Sequence, residues 1–157
     1  MKKKLKFFVI ILIVIIMALV SIKIYIDKLE IGPEDVYLTM ENSTVEYKTT
    51  TGAYTWNDKG KHVIADSIQP LQMDFSNIID VKENDKIYFS GEEWTNIGAS
   101  LMIAKGRNEV ARVTIETNLE EKYFVIPELV AGEYVIQINL ESDKGEVWYA
   151  AKIRIME

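Results

Sequence analysis

Apolar and polar residues alternate along most of the chain after residue 35, with the period of two that is typical of β-strands. The alternation is clearest between Gly132 and Ile155, on both sides of Ser142-Asp143-Lys144-Gly145. The apolar series are Tyr134, Ile136, Ile138 and Leu140 before these four residues and Val147, Tyr149, Ala151, Ile153 and Ile155 after them. The four residues have the composition of a tight turn, because Gly145 can adopt a positive φ angle. This region therefore predicts an antiparallel hairpin with one buried face.

Short apolar runs separated by turn residues predict the other strands. They are Val36–Met40, Val45–Thr49, Gly52–Trp56, Lys61–Ala65, Leu71–Phe75, Ile87–Ser90, Leu101–Ala104, Val110–Glu116 and Tyr123–Ile126. No window after residue 30 has the pattern of an amphipathic helix. This many short strands, with turns about every ten residues, predict an all-β domain that is a sandwich or a barrel.

A second hairpin is predicted around Asn57-Asp58-Lys59-Gly60, whose chemistry is close to that of the later turn. It would join Gly52–Trp56 to Lys61–Ala65. Residues two apart on a strand share a face, so Tyr54 and Trp56 would point the same way. We assign that face to the core.

Two local motifs add detail. Asp66 and Ser67 are expected to bond backbone amides two residues on and so to turn the chain before Pro70. The stretch PELVAGEY has the form of a tyrosine corner, in which Gly132 permits the bend and the Tyr134 hydroxyl bonds backbone a few residues upstream. The pattern resembles that of immunoglobulin-like and fibronectin-like domains. We therefore predict an all-β, immunoglobulin-like β-sandwich.

The N-terminal residues have a different pattern. Four lysines precede an uncharged stretch at residues 7–22. With a snorkelling Lys23 and apolar Ile24–Ile26, the stretch would reach about 30 Å as a helix, the thickness of a bilayer core. We predict a basic tip and a transmembrane signal-anchor at residues 1–27, with 7–26 in the bilayer. A tether at 28–35 and the folded domain at 36–157 would follow.

Orientation follows from the lysines, because positive residues stay on the cytoplasmic side. We expect a single-pass protein of the cell membrane with a cytoplasmic N-terminus and an extracellular domain. A cleaved signal peptide is the alternative, which would give a secreted protein of the same fold. Met17–Ile22 contains no A-x-A pair of small residues for cleavage, and this favours the anchor.

The charge and the cysteine content of the chain argue against several kinds of function and site. From Ile24 onward there are 13 basic residues against 24 acidic ones. So acidic a domain is a poor match for nucleic acid, whose affinity depends on cationic contacts to phosphate. The chain has no cysteine, which excludes disulfides, thiolate metal sites and a lipid-bearing cysteine.

A further resemblance concerns the class of surface protein. The arrangement G-x-Y-x-W followed by A-D-S-x-x-P, with a later G-x-Y strand, a glycine turn and an aromatic strand, is similar to that of uncharacterised Gram-positive surface proteins and lipoproteins. The matching residues are Gly52, Tyr54, Trp56, Ala65, Asp66, Ser67, Pro70, Gly132, Tyr134, Gly145 and Tyr149. The resemblance implies a membrane anchor with a β-sandwich and no particular activity.

Catalysis and metal binding find little support in the residues. A serine hydrolase needs a base beside its nucleophile, yet His62 is the only histidine and no G-x-S-x-G occurs. His62 and Asp66 would stand about 13 Å apart on a strand, too far to share an ion. We therefore expect no enzyme, no cofactor and no metal, with a calcium-binding or hydrolytic envelope domain as the less favoured alternative.

Binding is the function that we expect. Alternation places Trp148 on the face opposite to Tyr149, and Ala150 makes that outer face unusually apolar. Trp148 and Trp94 are the candidate residues of a binding surface, unless Trp148 covers a second side of the sandwich or packs against a loop. Tyr54, Trp56, Asp66, Gly132, Tyr134 and Gly145 are assigned structural roles. The expected partner is a membrane or cell-envelope protein.

Overall fold

The computed structural model describes residues 11–23, 32–58, 60–91, 94–105 and 108–157, which belong to two compact units divided between Ile31 and Gly32. In the first unit, residues 11–23 form a helix whose residues are all exposed. Within the residues that the structure describes, no helix is long and apolar enough to cross a bilayer. Both ends of the predicted span at 7–26 lie outside these residues, and membrane crossing stays a prediction.

The second unit, Gly32–Glu157, is built from short and long strands with little helix. Its strands are β1 (Tyr37–Met40), β2 (Glu46–Lys48), β3 (Thr50–Asp58), β4 (Lys61–Ala65), β5 (Ile78–Val81), β6 (Lys86–Phe89), β7 (Asn96–Lys105), β8 (Asn108–Ile115), β9 (Thr117–Asn118), β10 (Tyr123–Val125), β11 (Gly132–Ser142) and β12 (Gly145–Ile155). A single turn of 3₁₀ helix, Pro70–Gln72, lies between β4 and β5. The all-β class is therefore confirmed.

The strands form two sheets. The smaller has the order β2-β1-β6-β10-β9 and is antiparallel throughout. The larger has the order β4-β3-β12-β11-β7-β8, also antiparallel, and β5 joins it by pairing in parallel with the last residues of β12. β12 is therefore the central strand, with β11 on one side and β3 and then β5 on the other.

The core lies between the two sheets and takes side chains from both. Leu38, Ile87 and Phe124 of the smaller sheet and Ile136 and Tyr149 of the larger are completely buried. The Tyr149 hydroxyl donates a hydrogen bond to the backbone oxygen of Glu34 at 2.6 Å. Burial raises the pKa of this phenol well above its usual range. Two sheets that share one apolar core make the domain a β-sandwich.

Both predicted hairpins are confirmed. β3 pairs with β4, and Gly60 at the turn has a φ of 75°. β11 pairs with β12 along their whole length, and Gly145 has a φ of 147°. A side chain at Gly145 would also overlap the backbone of Thr55, so the turn is packed against β3. The backbone N–H of Asn57 donates to the oxygen of Lys144 at 2.6 Å and bonds the two turns together.

One predicted strand is wrong. Leu71–Phe75 does not pair with any described strand, because Pro70 begins a 3₁₀ turn there and the chain then runs on in extended form. Its alternation is real, since Leu71, Met73 and Phe75 are half-buried between exposed neighbours. The strand of this region is β5 instead, and it was not predicted. The folded unit also begins at Gly32, within the predicted tether, whose residues 28–31 lie outside the described ones.

Candidate functional site

The outer face of the larger sheet, turned away from the core, carries the candidate site. Strand register places its side chains in two rows that run across the sheet at the end near the two hairpin turns. The first row is Ile64, Thr55, Glu146, Glu141 and Asn96, and the second contains Trp148, Asn139 and Gly98. Trp148 is thus on the face opposite to Tyr149, as the alternation predicts.

Trp148 lies flat on the backbone of β3. A side chain added at Gly52 would overlap Cδ2, Cε2 and Cε3 of the indole, so one face of the ring covers this glycine. The pairing of β3 with β12 shifts register at this point, since Gly52 and Ala53 together stand opposite Trp148. Such a bulge inserts one extra residue and increases the local twist. Glycine is needed here because the ring leaves no room for a Cβ.

An open groove of about 240 Å³ has Trp148 among its lining residues. Its wall is formed by Ala53, Thr55, Ile64, Asp66, Asn139, Glu141, Glu146 and Trp148, with backbone from the strands between them. Ile64 is 65% exposed, whereas Val63 and Ala65 on the opposite face of the same strand are half-buried. Trp148 is therefore in contact with Gly52 through one face of its ring and is also part of the groove wall.

Three carboxylates stand at the rim of this groove. Glu141 and Glu146 are directly opposite one another on β11 and β12, and both are exposed. Glu141 accepts a hydrogen bond from the Asn96 amide at 3.2 Å. Within the described ranges, neither Glu146 nor Asp66 forms an ion pair or a side-chain hydrogen bond. Like charges placed directly across a strand pair are destabilising, so this arrangement does not serve stability.

The opposite end of the same outer face is covered by the chain itself. Val135 and Met102 face outward from paired strands, yet they are 7% and 1% exposed. Leu71, Met73 and Phe75 lie at this end and line, with Val135, a partly open cavity of about 260 Å³. We call residues 70–75 the covering segment. Packing of this segment on the sheet face explains why its apolar residues alternate although it forms no strand.

Trp94, the other residue of the predicted binding surface, lies in a different part of the domain. Its ring packs edge-on against Trp56 and Tyr149, at centroid distances of 6.3 and 6.4 Å. Its indole N–H donates to the backbone oxygen of Ser90 at 3.3 Å. Trp94 is half-buried against the core and does not adjoin Trp148. The segment that carries it has no strand alternation, so sequence periodicity could not assign it to a face.

The residues given structural roles lie as follows. The Tyr134 hydroxyl donates to the Val130 oxygen at 2.6 Å across the bend at Gly132, which is the bond of a tyrosine corner. Trp56 is 6% exposed in the core, and Tyr54 is half-buried against it. Gly132 and Gly145 are at the bend and the turn described above.

Asp66 differs from the prediction. The described contacts include no bond from its carboxylate to a backbone amide, and Ser67 instead donates to the oxygen of Ile68 at 3.1 Å. Asp66 therefore belongs to the wall of the groove and not to a capped turn.

The expected absence of enzyme and metal chemistry has no direct test here. His62 lies at the edge of the outer face, where its Nδ1 is 2.6 Å from Oδ1 of Asn57. Across the described ranges, no group of three or more His, Asp or Glu side chains has a metal-binding arrangement. Absence of an enzymatic function, of a cofactor and of a metal stays a prediction.

The comparisons with known proteins add little to this geometry. No family model matches the chain, and no curated protein matches it closely. Among solved structures, the crystal structure of CopC from Methylosinus trichosporium OB3b is similar over 51% of this chain and 84% of its own, with 19% identity and a TM-score of 0.35. A TM-score this low carries no argument about function.

Sequence reasoning found Trp148 and missed the residues that make its surroundings a groove. Ile64 was assigned to a hairpin strand without a face, and Gly52 was noted only as part of a motif. The signal for Gly52 was available in principle, since a glycine inside a strand often marks a bulge or a close approach. The partner of that approach is 96 positions away, and its identity depends on the pairing of β3 with β12.

Proposed function

We propose that this chain is an extracytoplasmic binding module, an immunoglobulin-like β-sandwich held at the cell membrane by its N-terminal segment. It binds a protein of the membrane or cell envelope through the groove beside Trp148. The observation that carries the proposal is the indole itself, which lies over Gly52 and borders an open groove on an outer sheet face.

Two features support recognition over packing for this groove. At the covered end of the same face, the chain places apolar side chains of its own beside Val135, which is 7% exposed. At the Trp148 end, no described segment lies over the groove, and Ile64 is left open to solvent. Tryptophan is among the residues most enriched at the energetic centres of interfaces, and contiguous apolar surface on a soluble domain marks interaction sites.

Binding can be tested with envelopes from the cells that make the protein. Full-length protein carrying an epitope tag is cross-linked in intact cells, and cross-linked species are compared between the parent and Trp148→Ala. We expect the variant to reach the same cellular amount and to lose the cross-linked species. Unchanged cross-linking in a folded Trp148→Ala protein would remove the groove from the proposed function.

The anchor is supported by the four N-terminal lysines and the uncharged stretch at residues 7–22. Protease added to intact protoplasts is expected to digest the domain and to leave a small N-terminal fragment in the membrane. Recovery from the medium of a mature protein that begins near residues 19–23 would instead establish the secreted alternative.

A further inference from the structure

We propose that the partner is a protein that inserts an arginine side chain into the groove, with its guanidinium against Trp148 and the carboxylates of Glu141 and Glu146. This inference rests on the proposed binding function and names the chemistry of the partner. It joins three properties of the groove: its size, its aromatic wall and its charge.

Size indicates one side chain and not a free small molecule. The groove holds about 240 Å³, below the roughly 300–1,000 Å³ of pockets that bind small ligands. It is also open to solvent along the sheet, so a bound group can remain attached to a larger molecule outside. A single long side chain from a partner protein satisfies both conditions.

The aromatic wall favours a planar cation. One face of the indole covers Gly52, and the Trp148 ring is part of the groove wall. Guanidinium groups stack on tryptophan faces, which attract cations through the ring quadrupole. Arginine also carries apolar methylenes that can lie along Ile64 and Ala53, which belong to the same wall.

Charge complementarity supplies the third argument. Glu146 is two residues from Trp148 on the same strand face, so the two lie about 7 Å apart along the strand. Glu141 stands opposite Glu146, where Cα atoms are about 4.5–5.5 Å apart. The wall of the groove has three acidic residues and, among its described members, no Lys, Arg or His. A guanidinium there would neutralise the repulsion between the opposed carboxylates and donate bidentate hydrogen bonds to them.

The test uses the full chain in detergent micelles and a defined probe. Acetyl-Gly-Gly-Arg-Gly-Gly-amide is titrated while the three indole N–H resonances are followed by NMR, with Trp148 assigned from Trp148→Leu. The matched peptide carries citrulline, which keeps the shape of arginine and removes the charge. We expect the arginine peptide to shift the Trp148 resonance with millimolar affinity and the citrulline peptide to bind about tenfold more weakly.

Variants separate the contributions of ring and charge. Trp148→Leu keeps an apolar wall without a ring face, and the double variant Glu141→Gln with Glu146→Gln keeps the shape without the charge. Both should weaken binding of the arginine peptide to the level of the citrulline peptide, as followed by the backbone amide resonances of β12, because Trp148→Leu has no Trp148 indole signal. The control is Glu120→Gln with Glu121→Gln, which removes the same charge at the turn before β10 of the smaller sheet and should leave binding unchanged.

Each outcome decides the proposal. Equal binding of the two peptides, no shift at Trp148, or equal loss in the Glu120 and Glu121 control would overturn it. A shift of Trp148 by an N-acetylglucosamine oligomer without any shift by the arginine peptide would also overturn it and would assign the groove to glycans. The proposed binding function fails separately, when cross-linking in cells persists in Trp148→Ala.

Discussion

The two ends of the outer face of the larger sheet differ in how their apolar side chains are shielded from water. Each end presents large apolar side chains outside the core, Val135 and Met102 at one and Trp148 at the other. At the first end the covering segment, residues 70–75, lies beside Val135 and lines with it a partly open cavity of about 260 Å³. At the second end the indole packs on Gly52, and an acidic groove stays open.

The contrast shows that an apolar outer face is not by itself a binding site. Where the chain supplies its own cover, the apolar residues behave as a second core and stabilise the domain. Where it does not, exposed apolar area and opposed carboxylates both act against stability. Their presence together at one place is therefore best explained by a partner, since binding sites often reduce the stability of the free protein.

The largest expected effect compares the core with the open end. Trp56→Ala should lower the free energy of unfolding by about 3–5 kcal/mol, because it removes a large ring that is 6% exposed. Trp148→Ala should lower it by only about 1–2 kcal/mol, since the ring is half-buried. Urea denaturation of the two variants measures both. Equal losses would mean that Trp148 belongs to a second core like the covered end.

The next largest effect is expected at Gly52, whose backbone is in close contact with the Trp148 indole. Gly52→Ala should destabilise the domain by about 1–3 kcal/mol, because the new methyl group overlaps the ring and must displace it. Gly98→Ala is the matched control, since it lies on the same face with open space around the added Cβ. The Trp148 indole resonance should move in the first variant and stay in place in the second.

A smaller effect is expected at the covered end. Tyr134 borders the cavity there, and its hydroxyl bonds the exposed Val130 oxygen, to which water can bond when the hydroxyl is lost. Tyr134→Phe should therefore cost about 0.5–1.5 kcal/mol in a thermal melt. Tyr123→Phe provides the comparison, because the Tyr123 ring packs against Tyr88 and its hydroxyl has no described hydrogen bond. A melting midpoint for Tyr134→Phe that matches the parent would mean that the corner bond adds no stability.

The smallest expected effect is an increase in the stability of the domain. Glu146→Lys places an ammonium group opposite Glu141 and should raise stability by about 0.2–1 kcal/mol while it abolishes recognition of arginine. Glu120→Lys makes the same change of charge on the other sheet, without a cross-strand Glu partner. If both variants raise the melting midpoint equally, net charge is the cause and the opposed pair is not strained.

Elements that depend on residues close together in the sequence could be predicted, whereas elements that depend on distant residues could not. β11, β12 and both hairpins are defined by alternation and by local turn residues, and the faces of Tyr149 and Trp148 follow from the same alternation. β5 was missed because its stabilising partner is the distant end of β12, and parallel pairing leaves no turn signal nearby. Leu71–Phe75 was misassigned because packing on a sheet face selects the same alternation as pairing within a sheet.

Prediction of the candidate site was limited in the same way, by contacts between residues that are distant in the sequence. The candidacy of Trp148 could be predicted from one strand, whereas the groove depends on β3, β4 and β11 meeting around it. The position of Trp94 could not be predicted in the same way, because it lies outside any strand pattern. Its contacts with Trp56 and Tyr149 come from three separate parts of the chain.

The central place of β12 affects the order of events during synthesis. β12 follows every other strand in the chain, and β3, β5 and β11 all pair with it. While the ribosome is still making β11, β3 can pair only with β4, and β5 has no partner among the described strands. The nascent domain therefore stays open until its last strand emerges, and the larger sheet closes only after translation has passed residue 155.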